Sequence, residues 1–422
     1  MKNEIVKTAL WAGAALALVV AAVSVEPGKR SAEVFSDQGE ALFERFRNLD
    51  AARSIEVIDY DETQAVARPL KAEFRQGRWM LSSHYDYPAE ARDRLAKTAA
   101  ALLDLKKDVV ASDRFEDHAQ FGVVDPLDAK VASLQGRGKR VTLRDAAGAA
   151  LADLVLGHAV KDKPGYRYLR LPGQKRVYSV KTEADPSARF EDWVESNLLR
   201  LSSAQLKRVV VISYSLDEQS GRLANLQRIV AVKAGDGWKQ ESGPAVAPAR
   251  IQSMVSALAG LRPVGARPKP KDLAQQLRSG GALEMTLDSM MSLRQRGYFI
   301  TPDGRLLANE GEVVAETESG VTFNLRFGEI VTGSGDAKPA SVDPTQAQQV
   351  DRFLFVSSSD PALRAKFADW YYVIRGSDFT RLRLKSDQPA SSPARPGTVP
   401  GSPVPVPERR SPPPSGTVPP RP

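Results

Sequence analysis

The sequence predicts an α+β fold of antiparallel sheets, arranged as two tandem units behind an N-terminal transmembrane helix. Three observations carry that reading. Residues 9–25 form an uncharged apolar run. Short alternating segments bounded by turns recur through the middle of the chain. Several motifs appear twice in the same order. The boundaries that follow are 1–30 for a membrane anchor with a short cytoplasmic head, 31–205 and 206–385 for the two units, and 386–422 for a proline-rich tail.

Ala9 to Val25 is preceded by Lys2 and Lys7 and followed by Glu26, Lys29 and Arg30. A helix of that length rises ~26 Å, close to the ~30 Å hydrocarbon core. Trp11 falls at the entry interface, where an indole is favoured. The run ends in Ala21-Ala22-Val23-Ser24-Val25, a poor cleavage site, so a retained signal-anchor is preferred to a removed signal peptide. The short head places the N-terminus in the cytoplasm and the bulk in the periplasm, as a single-pass protein of a bacterial inner membrane.

The repeat is read from spacing. Gly77-Arg78-Trp79 has a counterpart in Asp236-Gly237-Trp238. Pro88 precedes Leu95, Leu102 and Leu105 at the same intervals at which Pro244 precedes Ile251, Leu258 and Leu261, one face of an amphipathic helix each time. Leu156-Gly157 and Phe327-Gly328 each end a strand-like run, and Phe190-Glu191-Asp192-Trp193 returns as Phe367-Ala368-Asp369-Trp370. Val141 to Leu156 and Tyr166 to Val180 read as hairpins around turn residues; Tyr298 to Ile300, Glu312 to Glu316 and Val321 to Phe327 read as strands of the second unit. Strand–helix alternation is not sustained, which disfavours a doubly wound parallel sheet. The segment 262–272, from Arg262-Pro263 through Pro270-Lys271, reads as a basic, proline-rich connector outside any core, and 332–345 as a loop.

From Pro389 to Pro422, 13 of 34 residues are proline. Such a chain favours polyproline II, and at ~3.1 Å per residue it reaches ~100 Å. Such a composition cannot build a core, so the segment reads as a disordered, solubilising tail; reach through a cell-wall layer and docking in a proline-binding groove are the alternatives.

Composition excludes several chemistries. The chain has no cysteine, so disulfides, thiolate nucleophiles and cysteine metal sites are absent. Its net charge is +8, but no basic stripe concentrates it, so nucleic acid is not expected as a partner. His84, His118 and His158 lack metal-ligand spacing. No nucleophile elbow or phosphate loop is present. No catalytic, cofactor-binding or metal residue is assigned. The candidates for binding are the aromatic run Trp370, Tyr371 and Tyr372 and the acids Glu310 and Glu312, which flank Gly311 beside a turn.

The order Trp79, Tyr87-Pro88-Ala89, Phe121 to Pro126, Leu154 to Gly157, Tyr166 to Arg170 and Val177 to Val180 resembles the bacterial family of domain of unknown function 4340. Asn309 to Val313, Gly320-Val321 and Leu325 to Glu329 are similar to its longer members. The resemblance spans roughly 45–385. It implies a single-pass membrane protein often encoded beside ABC-type transporters of the gliding-motility class, and hence a permease and ATPase as partners. It implies no catalytic residue. The function expected is a membrane-anchored extracytoplasmic accessory protein of an ABC-type transport complex. The alternatives are an envelope polymer- or peptide-binding module and a carboxylate-dependent hydrolase.

Overall fold

A computed structural model describes residues 38–216, 223–280, 286–301, 304–331 and 350–384. The apolar run 9–25, the loop 332–345 and the tail from 386 lie outside these residues. Among the described residues, no helix is long and apolar enough to cross a membrane.

The first part of the chain forms β1 (Ser54–Asp61), β2 (Val66–Arg75), β3 (Arg78–Leu81), β4 (Tyr87–Pro88), α1 (Arg92–Leu103), β5 (Val109–Ser112), α2 (His118–Phe121), β6 (Lys139–Arg144), β7 (Ala150–Ala159), β8 (Tyr166–Arg170) and β9 (Val177–Lys181). The second part forms β10 (Leu206–Leu216), β11 (Leu223–Ala234), β12 (Gly237–Ser242), α3 (Pro248–Ala259), β13 (Gly265–Pro268), α4 (Lys271–Ser279), α5 (Leu287–Gln295), β14 (Tyr298–Ile300) and β15 (Leu306–Ala308). It continues through β16 (Glu312–Thr317), β17 (Thr322–Ile330), β18 (Arg352–Ser358), α6 (Pro361–Ala368), β19 (Trp370–Ile374) and α7 (Gly376–Leu382). The fold is α+β with large antiparallel sheets.

The nine-stranded sheet runs β4-β3-β2-β1-β6-β7-β8-β9-β5, and the eight-stranded one β12-β11-β10-β16-β17-β18-β19-β13. Leaving out β4, the two orders coincide strand for strand. Register agrees as well. Leu156, Leu169, Tyr178 and Val110 form one row across the first sheet. Phe327, Leu354, Tyr372 and Ala266 form the matching row in the second. Trp79 stands opposite Phe74, and Trp238 opposite Lys233, in matching hairpins.

Alternation explains the strands. Val313 and Ala315 of β16, and Phe323, Leu325 and Phe327 of β17, point inward while their neighbours are half-buried. The helices follow the expected spacing: Leu95 and Leu102 of α1, and Ile251 and Leu258 of α3, are buried against their sheets. Pro248 opens α3 at a position where its missing N–H costs nothing. One apolar cluster spans both sheets, and the connector between them is stitched into it through Phe190, Trp193, Leu198 and Leu199.

Two expectations need correcting. Phe190 to Trp193 follows β9, whereas Phe367 to Trp370 precedes and enters β19. The two motifs are therefore not topological counterparts; a helix inserted between β18 and β19 produces the second. The basic segment 262–272 is not an exposed connector either. It supplies β13, which pairs with β19, and it buries Lys269 at 5% exposure.

Candidate functional site

β19 carries the predicted aromatic residues, and strand alternation sends them to opposite faces. Tyr372 faces the shared core, with its ring 6.1 Å from Phe367. Tyr371 faces a smaller cluster, stacked on Tyr298 at 5.9 Å, with its hydroxyl 3.2 Å from Ser292 Oγ. Both tyrosines are fully buried, and burial pushes the Tyr371 hydroxyl up to about 12 and that of Tyr372 well above its usual range. Trp370 is half-buried, edge-on to Tyr87 at 4.8 Å. These residues are packing anchors that join β19 to both clusters.

The predicted acids are ion-paired. Glu310 lies 3.4 Å from Arg352 and also meets Arg383, on the segment that ends α7. Glu312 on β16 meets Arg326 on β17 at 3.2 Å, directly across the ladder. Arg352 stacks over Phe379 at 4.4 Å. Burial lowers both the Arg326 and the Arg352 guanidinium from the usual range, with the neighbouring glutamates opposing that shift. Each carboxylate thus neutralises an arginine held between strands.

Sequence reasoning missed a buried lysine. Lys269 Nζ donates to the carbonyls of Phe367 at 2.9 Å and Trp370 at 2.7 Å, at the C-terminal end of α6. A cation there complements carbonyls left without intrahelical partners. The ammonium also sits 4.0 Å over the Phe355 ring and 5.3 Å from that of Tyr371. Burial drives its pKa well below the usual lysine value, opposed by Asp369. The signal available in sequence was the Pro268-Lys269-Pro270 triplet, which holds the chain extended.

The three histidines stay apart. His118 Nε2 is 2.7 Å from the Lys175 carbonyl, and His84 packs 5.2 Å from Phe190. Burial lowers both. Among the described residues, no group of three or more metal-ligating side chains converges.

A groove of about 690 Å³ lies at the end of the first sheet, where β7 and β9 begin and β8 ends. Leu151, Leu171 and Tyr178 form its apolar part, and residues 41–45 its outer wall. Lys107 pairs with Glu40 at 2.9 Å, and Arg176 with Asp113 at 2.9 Å, along its rim.

These features define an α+β protein of two matching antiparallel sheets about a shared core, held by buried aromatic anchors and inter-strand ion pairs. Residues 79–277 match the family described as a domain of unknown function (DUF4340), so the family resemblance holds from Trp79 on β3 to Leu277 on α4. The similarity noted at 309–329 lies beyond that span. No curated protein and no solved structure gives a match to the chain.

Proposed function

We propose that this chain is a membrane-anchored extracytoplasmic accessory protein of an ABC-type transport complex, with a permease and an ATPase as partners and no catalysis of its own. The observation that carries the reading is the uncharged run 9–25, set before a large body whose strongest candidate acids and aromatics are committed to ion pairs and packing. The anchor crosses the inner membrane, the two-sheet body stands in the periplasm, and the proline-rich tail reaches toward the wall. The family resemblance supports the same assignment through the genomic company its members keep.

The two sheets are read as copies of one ancestral unit. Equal strand order and equal register support this, and so does a shared glycine. Gly157 on β7 receives the Phe121 carbonyl at the end of α2, and Gly328 on β17 receives the Arg296 carbonyl just past α5. A side chain at either site would collide with that carbonyl.

The test is affinity purification of the full-length chain from detergent-solubilised native membranes, with mass spectrometry of the intact protein and its partners. Recovery of permease and ATPase subunits with residues 1–25 retained is the expected result. A lone, N-terminally trimmed protein would overturn the reading.

A further inference from the structure

α5 carries its polar residues inward and its apolar residues outward. Ser289, Ser292 and Leu293 form its inner face, with Arg296 one residue past its end. Ser289 Oγ donates to Asp272 at 2.7 Å, Ser292 Oγ is 3.2 Å from the Tyr371 hydroxyl, and the Arg296 guanidinium donates to the Ser292 carbonyl at 2.9 Å. Of this helix only Leu293 joins the apolar cluster beneath.

The outer face is Leu287, Met290, Met291 and Arg294, at the i, i+3, i+4 and i+7 positions of one stripe. Its apolar side chains are 71%, 44% and 52% exposed, and Arg294 is exposed at its end. A surface helix ordinarily turns such a stripe toward the core. Here the Thr286 hydroxyl accepts from the Ser289 N–H at 3.2 Å and donates to Asp272 at 2.6 Å, which fixes the rotation that turns the stripe outward.

The charges at the two ends of the stripe narrow the occupant. Asp288 stands in the first turn and Arg294 in the last, and both are exposed. Among the described residues neither has an ion-pair partner. An anionic bilayer would attract Arg294 but repel Asp288. A face with an acid at one end and a base at the other is instead complementary to itself. Two copies laid antiparallel across a twofold axis bring Met290 against the partner's Met291 and Leu287 against the aliphatic stem of the partner's Arg294. Asp288 then comes within reach of that guanidinium, and the symmetry makes the pair twice.

We propose that this face of α5 is a self-association surface, covered by the same face of a second copy of this chain. The helix has nine residues and rises ~13 Å, so it presents far less than the ~800 Å² per partner that a stable dimer buries. The contact is therefore weak in dilute solution and is populated where copies are concentrated. The proposal stands on α5 and does not depend on the transporter assignment.

Because the chain has no cysteine, Met291→Cys places a single thiol on the stripe, and Leu127→Cys places one at an exposed leucine of the first half as a control. The full-length chains are treated with a short bismaleimide in vesicles of phosphatidylethanolamine and phosphatidylglycerol. Flotation shows whether the chain is anchored. A chain that does not float is crosslinked in concentrated solution instead, so failure of the anchor and failure of the contact are told apart. M291C should form covalent dimers faster than L127C. D288R or R294D, each added to M291C, should slow the reaction about tenfold, since each sets like charges opposite one another twice. The D288R chain and the R294D chain, mixed with tags of different size, should crosslink to each other at close to the M291C rate, because the mixture restores both pairs. Melting temperatures close to that of M291C establish that the folds are intact. A rate at M291C no higher than at L127C overturns the proposal, and so does a mixture that reacts no faster than either variant alone. Quenching of a fluorophore on M291C by nitroxide-labelled lipid would overturn it too, by placing the face against the bilayer.

Discussion

Replacing Lys269 with methionine should lower stability at every pH and also change how stability depends on pH. The lysine is buried at 5% exposure, and its folded-state pKa lies well below 10.5 because burial disfavours the charge. Below the folded pKa, native and unfolded chains both hold the proton, and this residue contributes no slope. Between the folded pKa and 10.5 the unfolded chain holds one proton more, so stability rises with pH, by at most ~1.4 kcal/mol per pH unit. Its contribution is thus fully present above the unfolded pKa and lost as pH falls through the folded one. Tyr298 and Tyr372 act in the opposite sense, since burial raises both. They lower stability once the unfolded phenols begin to ionise near ~10, so the measurement belongs below that pH. Methionine preserves the contact with Phe355 and Tyr371 but leaves the Phe367 and Trp370 carbonyls without a donor, at a cost of about 1–3 kcal/mol each. The assay is urea unfolding of the full-length protein followed by tryptophan fluorescence, from about pH 6 to about pH 9.5. The stability of wild type relative to K269M should grow as pH rises through this range. Parallel pH profiles would refute the reasoning and mean that the ammonium keeps a solvated pKa.

Two further outcomes follow from the packing. G157A and G328A should each destabilise the protein by about 1–3 kcal/mol, as overpacking does, and calorimetry should find the two losses similar, because each new methyl meets a backbone carbonyl in the same relation to its sheet. E310Q should lower the melting temperature, corresponding to roughly 1–3 kcal/mol, because Arg352 and Arg383 lose their shared carboxylate. A melting temperature equal to that of wild type would show that the ion pairs contribute nothing there.

Periodicity made much of the fold readable. The apolar intervals after Pro88 and Pro244 located α1 and α3 correctly, because a helix face depends only on local spacing. Trp79 and Trp238 marked matching hairpins for the same reason. The Phe-x-Asp-Trp pair misled because a four-residue match carries no information on which strand it precedes. Lys269 escaped notice because its aromatic neighbours Phe355 and Tyr371 lie far along the chain, and a lysine between prolines otherwise belongs in solvent. Glu310 and Glu312 looked available for chemistry for a similar reason. The arginine that completes Glu310 is 73 residues away, and nothing in the local sequence announces it.

Each sheet closes on a contiguous stretch of chain, the first within 54–181 and the second within 206–374. That sets an order of events during synthesis. Every strand of the first sheet has its pairing partners available once residue 181 has emerged, without any strand of the second. Yet its inner apolar face, with Leu70, Leu81 and Tyr87, completes its cover only when Phe190 to Leu201 and the second sheet arrive. A nascent chain paused in that interval presents a finished hydrogen-bond ladder with an open oily side, and the connector is the first piece able to close it.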